Sequence, residues 1–144
     1  MERGTGDTGR AMSDENVEVV KSLLAAFAER DEAAAGTVLD PEVEIRPAIV
    51  GGPEGVVYHG HQGIRRFWND VDAAWQEFRI EPEEFRDLGE RVLVLGRAFA
   101  RGEGSGIALD VPAAWLVALH ERRIVEFRSF SNQEEALKAA GVSQ

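Results

Sequence analysis

Chemistry in this chain would have to come from a few polar side chains set among apolar ones. Arg97 sits inside Val92-Leu-Val-Leu-Gly-Arg-Ala-Phe-Ala100, a run apolar enough for burial on both faces of a sheet. A buried guanidinium needs a carboxylate, carbonyls or a ligand. In Glu42-Val-Glu-Ile-Arg-Pro47 the period is two, so Val43 and Ile45 share one strand face and Glu42, Glu44 and Arg46 the other. Glu44, Asp110 and His61 are the candidate proton-transfer groups. Paired with an arginine, Glu44 would instead close an internal ion pair without chemistry. His59-Gly60-His61 has a spacing that could seat a metal. With three histidines and no cysteine in the chain, however, the third ligand would have to be a carboxylate. Neither a metal site nor a cofactor is expected. Ser129 and Ser131 have no histidine in a triad pattern, so a serine nucleophile is not expected. Phe27, Tyr58, Trp68, Phe85, Phe99 and Trp115 are spaced as core aromatics, and the same spacing would serve the walls of a cavity.

The elements that must position these residues follow from periodicity and punctuation. Residues 1–12 are polar and glycine-rich and read as a disordered tail, with Met12 a second plausible start and 13–144 a single domain. Ser13 is an N-cap for a helix whose Val17, Val20, Leu24 and Phe27 share one face and which ends near Arg30. Asp31 caps a second helix, Glu32 to Leu39, stopped by Asp40-Pro41. A short strand to Pro47, a Gly/Pro loop over Ile49–Gly55 and a second short strand, Val56–His59, come next. Gly60-His61 opens a third helix with a buried stripe of Ile64, Phe67, Trp68, Val71, Trp75 and Phe78.

From Arg79 onward the chain reads as a four-strand antiparallel meander: Arg79–Leu88, Arg91–Arg101, Ile107–Leu119 and Arg123–Phe130. Pro82 makes the first of these an edge strand or one with a bulge. The Glu81–Glu84 acidic run reads as a solvated edge that discourages pairing with other sheets. Asn132 with Glu135 resembles a capping box for a terminal helix, Gln133–Ala140, and Gly141 is its C′ residue. Leu116, Arg128 and Phe130 fall on the second face of the sheet, which a symmetric dimer or the terminal helix must cover. Helices early and strands late predict an α+β fold.

Composition removes several function classes. A formal charge of -10 argues against a nucleic-acid partner and against adhesion to an anionic membrane surface. No stretch approaches the ~20 apolar residues of a membrane span. A chain without cysteine has no disulfides and no thiolate chemistry. A cytoplasmic location is expected.

The order of elements, with Asp40-Pro-Glu-Val-Glu-Ile-Arg-Pro47, Tyr58-His-Gly-His-Gln-Gly-Ile-Arg-Arg-Phe-Trp68 and Arg123-Ile-Val-Glu-Phe-Arg128, resembles the SnoaL-like family of the nuclear transport factor 2-like superfamily. The resemblance covers roughly Met12 to Val142, about one domain's length. It implies a cone-shaped, curved, mixed or antiparallel sheet packed on three N-terminal helices with a short C-terminal helix. It also implies a cavity between helices and sheet, and often a homodimer through the sheet. Such proteins include polyketide cyclases, ketosteroid isomerases and epoxide hydrolases, so the fold alone does not name a reaction. Where the isomerases carry their aspartate base, this chain has Arg46, which cannot accept a proton at neutral pH. Where the limonene epoxide hydrolases carry an Arg-x-Asp pair and a later aspartate, it keeps Arg97 but has Phe99 and Ser129.

The resemblance places Arg46 and Arg97 on the cavity side, with Tyr58, Trp68, Phe85, Phe99, Trp115 and Ser129 as further ligand-binding candidates. The expected function is binding of a small hydrophobic molecule bearing a polar or anionic group. The alternatives are a cyclase, isomerase or hydrolase using Glu44, Asp110 or His61, and a dimeric interaction module with a filled cavity.

Overall fold

The computed structural model describes residues 6–47, 57–102, 104 and 106–142, and of residues 6–14 the backbone alone. The Gly/Pro loop expected over Ile49–Gly55 lies outside the described residues. The order of elements is α1 (Gly6–Glu29), α2 (Glu32–Val38), β1 (Leu39–Arg46), β2 (Tyr58–His59), α3 (Gly60–Ala74), β3 (Glu77–Asp87), β4 (Arg91–Arg101), β5 (Ala108–His120), β6 (Arg123–Phe130) and α4 (Gln133–Ala140). Nothing between Arg10 and Asn16 breaks a helix, and α1 runs back past Ser13 to Gly6, through residues expected to form a tail.

The local signals act where their chemistry requires. Asp31 accepts from the Ala34 amide at 3.1 Å, and Asn132 from the Glu135 amide at 3.1 Å. Gly141, at φ 74°, closes α4 in the left-handed conformation. The strands form one six-stranded mixed sheet, curved and unclosed, in the order β2-β1-β6-β5-β4-β3. β1 runs parallel to β6, and β3 to β6 form the antiparallel meander. Pro82 meets both expectations for it: β3 is the sheet edge, and the register shifts between Pro82 and Glu84. At that bulge β3 crosses so close to β4 that a Cβ on Gly96 would collide with the Glu81 carbonyl oxygen and lie 2.9 Å from the Pro82 Cα.

The sheet separates two apolar clusters. On its concave side α1, α2 and α3 pack over Val43, Ile45, Val92, Val94, Trp115, Val117, Ile124 and Phe127. On the other side Leu93, Leu95, Ala114, Leu116 and Phe130 lie under Ala136, Leu137 and Ala140 of α4. Each large apolar side chain buried this way contributes roughly 1.5–3 kcal/mol. The terminal helix is therefore what covers the apolar patch of the second face. Gln133 anchors it there, its Nε2 donating to the Gly96 and Ala113 carbonyls at 3.1 and 3.0 Å. Arg91 completes the attachment by donating to the Ala140 carbonyl at 2.9 Å, at the end of α4. On the concave side the buried Asn16 ties α1 to the turn between β3 and β4, donating to the Gly89 carbonyl at 2.9 Å.

A candidate binding cavity with apolar walls

A cavity opens between the helices and the concave face. It offers about 50 Å³ to the centres of water molecules, several times the ~10–15 Å³ that one water needs. Helices α1 and α3 supply Leu23, Leu24, Phe27, Ile64, Phe67 and Trp68. The sheet supplies Phe78, Ile80, Ala98, Val111, Ala113, Trp115, Phe127 and Ser129, with Pro47, Pro112, Phe130 and Ser131 completing the lining. The helical residues recur at three- and four-residue intervals, which stacks them on one face toward the sheet. The aromatic rings also brace one another: Phe27 stacks on Phe67 at 6.4 Å between centroids and meets Phe78 edge-on at 5.9 Å. Among the described residues no carboxylate, imidazole, amine or guanidinium lines this space.

Of the residues singled out in the sequence, the cavity gathers Phe27, Trp68, Trp115 and Ser129. Arg97 is not buried. It shares its face with Leu93 and Leu95, opposite the helices, and its Nε donates to Asp110 Oδ1 at 2.6 Å. Arg46 and Glu44 lie on that same outer face, opposite the fully buried Val43 and Ile45. There Arg46 pairs with Glu44 and with Glu126, each at 2.8 Å. Phe99 lies on the outer face too, under the Arg79 guanidinium at 4.3 Å. Strand alternation sorts these residues together correctly, but it does not say on which side the helices lie.

Phe85 packs at the margin of the core with Lys21 over its ring at 5.2 Å. Tyr58 is buried against Phe67, and its hydroxyl donates to Asp70 Oδ2 at 2.5 Å. Burial, then the bond to Asp70 and its charge, pushes the Tyr58 phenol up to about 12, against a smaller lowering by Arg66. His61 stands in a separate surface groove with Glu32, Ala33, Gly36, Ile64 and Arg65, and its Nε2 lies 3.0 Å from the Leu39 carbonyl. The described residues contain no cluster of three metal-ligating side chains.

Sequence reasoning missed Leu23, Ile80 and Phe127, and it considered Ser131 only as a nucleophile and not as part of the lining. The signal for Phe127 was available in its neighbours: it pairs in register with both Ile45 and Val117, which face the core.

A curved sheet packed on helices is also what the comparisons with known proteins return. A SnoaL-like domain matches residues 20–127. The chain belongs to the SnoaL-like family. No protein of curated function matches it by sequence. Among solved structures, TerC co-crystallised with polyporic acid is 21% identical with a TM-score of 0.73, over 88% of this chain and 98% of its own. An NTF2-like protein of unknown function from Burkholderia pseudomallei is 25% identical with a TM-score of 0.73, over 86% and 95%. A Catenulispora acidiphila protein with a ketosteroid isomerase-like fold, in complex with trimethylamine, is 17% identical with a TM-score of 0.70, over 88% and 94%. The SnoaL-like chain thus has the NTF2-like cone fold.

Proposed function

We propose that this SnoaL-like protein binds a small, largely apolar molecule inside its cone. The observation that carries the proposal is the open cavity itself, walled by aromatic and aliphatic side chains and placed where such folds leave room for a ligand. TerC crystallised with polyporic acid and the Catenulispora protein in complex with trimethylamine support a ligand-holding role for this architecture. Turnover is not part of the proposal. A general acid or base must come within hydrogen-bond reach of the reacting atoms, and Glu44, Asp110 and His61 all stand outside the lining. Glu44 and Asp110 are moreover bound to arginines.

Dimerisation through the sheet and a cytoplasmic setting belong to the same proposal. The apolar patch that argued for a dimer is taken by α4. The support left on the outer face is its pairs of alternating sign, Arg79 with Glu77 and Glu81, Arg97 with Asp110, and Arg46 with Glu44 and Glu126.

The test of binding uses toluene as the probe. Toluene raises the melting temperature of the wild type, and Ala98→Leu, whose added side chain enters the cavity, abolishes the rise while keeping the native circular dichroism. Ala113→Leu repeats the test from the neighbouring strand. An equal rise in wild type and both filled variants, or none in the wild type, contradicts the proposal.

A further inference from the structure

The walls carry a second message, resting on the binding proposal above. Every other hydroxyl side chain described has a protein partner. Ser22 donates to the Glu18 carbonyl at 3.0 Å, Thr37 to the Ala34 carbonyl at 2.7 Å and Tyr58 to Asp70 at 2.5 Å. Ser129 and Ser131, the hydroxyls that line the cavity, have none. Ser129 is the penultimate residue of β6, and the exposed Ser131 follows one residue past the strand's end, at the rim of the cavity. Ser129 is half-buried and lies directly opposite Trp115 in the register of β5 and β6. The Ser129 hydroxyl, in an apolar recess, can donate one hydrogen bond and accept two, and it gains free energy from any partner that follows it out of water.

The same walls discriminate against charge. An ion entering the cavity would leave water without meeting a counter-ion, since no ionisable side chain among the described residues lines it. An anion would also approach a protein of net charge -10. The guanidinium groups that would receive one, Arg46 and Arg97, are engaged by Glu44, Glu126 and Asp110 on the far side of the sheet. About 50 Å³ leaves room for a compact ligand only, and a lining rich in aromatic side chains suits a flat ring.

We infer that the ligand is an uncharged, single-ring aromatic molecule with one hydroxyl or carbonyl group, and that Ser129, assisted by Ser131, binds that group. Of the polar or anionic group expected from the sequence, the polar, uncharged alternative is the one retained.

Calorimetric titration of the full chain at pH 7 with three probes of one shape tests this. Toluene has no polar group, p-cresol adds a neutral hydroxyl, and p-toluate adds a carboxylate. The expected result is that p-cresol binds about three- to ten-fold more tightly than toluene, the range of one net hydrogen bond. p-Toluate should bind at least ten-fold more weakly than p-cresol. Ser129→Ala should bring p-cresol down to the affinity of toluene and leave toluene unchanged, whereas Ser129→Thr, which keeps a hydroxyl, should retain most of the preference. p-Toluate binding as tightly as p-cresol overturns the neutral-ligand inference. An unaltered ratio of p-cresol to toluene in Ser129→Ala overturns the role of Ser129. Both results leave the cavity proposal standing. Failure of toluene itself to bind the wild type overturns that proposal and this inference together.

Discussion

Tyr58 is the single tyrosine of the chain, so the ionisation of its phenol can be followed by absorbance without interference. Burial and the bond to Asp70 move it from an ordinary value near 10 to about 12. Between those values the unfolded chain has lost the phenolic proton and the native chain still holds it. Stability therefore falls as pH rises through that window, by roughly 2–3 kcal/mol at its end, and is unaffected by Tyr58 below it. An alkaline titration of the native protein should show phenolate appearing near pH 12. In Asp70→Asn, which keeps the burial but removes the carboxylate, the midpoint should fall part of the way. A native midpoint near 10 would show that the ring is solvated and the bond to Asp70 absent. This residue also shows a limit of sequence reading. An aromatic beside an apolar run can be assigned to the interior, but whether it walls a cavity depends on a partner such as Phe67, nine positions away, and on Asp70 one helical turn further.

At the scale of the elements, β4, β6 and α4 begin and end where the sequence places them, because each is bounded by a turn or cap with its own chemistry. Pro82 likewise announced the bulge and the edge. Arg97 was harder to read. Val92 to Leu95 are buried on both faces, on one side by α1 and α3 and on the other by α4. The helix cover ends before Arg97, so the apolar run that surrounds it in sequence no longer encloses it in space. The hairpin from β5 to β6 shows the opposite case, a turn formed against its residue preferences. Glu121 and Arg122 hold φ values of 51° and 65° between the paired His120 and Arg123. Two positive φ angles in a two-residue loop suit Asn-Gly. Replacing the pair by Glu121→Asn with Arg122→Gly should stabilise the protein by roughly 1–2 kcal/mol, from the left-handed penalty removed. Urea denaturation measures it, and an unchanged midpoint would mean that the turn carries no strain.

For the whole molecule, the distribution of charge is the organising fact. Among the described residues no ionisable group lines the cavity, and arginines of the outer sheet face are paired with carboxylates, so the described lining is uncharged within an acidic protein. No helix among the described residues is long and apolar enough to cross a membrane. If two copies meet through the outer face, their contact is largely electrostatic, because α4 has already buried its apolar patch. Sedimentation at micromolar concentration should then report a dimer at low salt that dissociates as ionic strength rises. A monomer mass at low salt would remove the dimer from the account, leaving the cavity untouched.

On the proposed reading, the working site of this SnoaL-like chain is the apolar interior of the cone and not its arginine-bearing outer face. A crystal structure of the full chain soaked with p-cresol tests it most directly. The expected result is one ring between Trp68 and Trp115 with its hydroxyl in hydrogen-bond contact with Ser129. A closed, empty cavity, or p-cresol bound against Arg46 or Arg97 on the outer face, would contradict it.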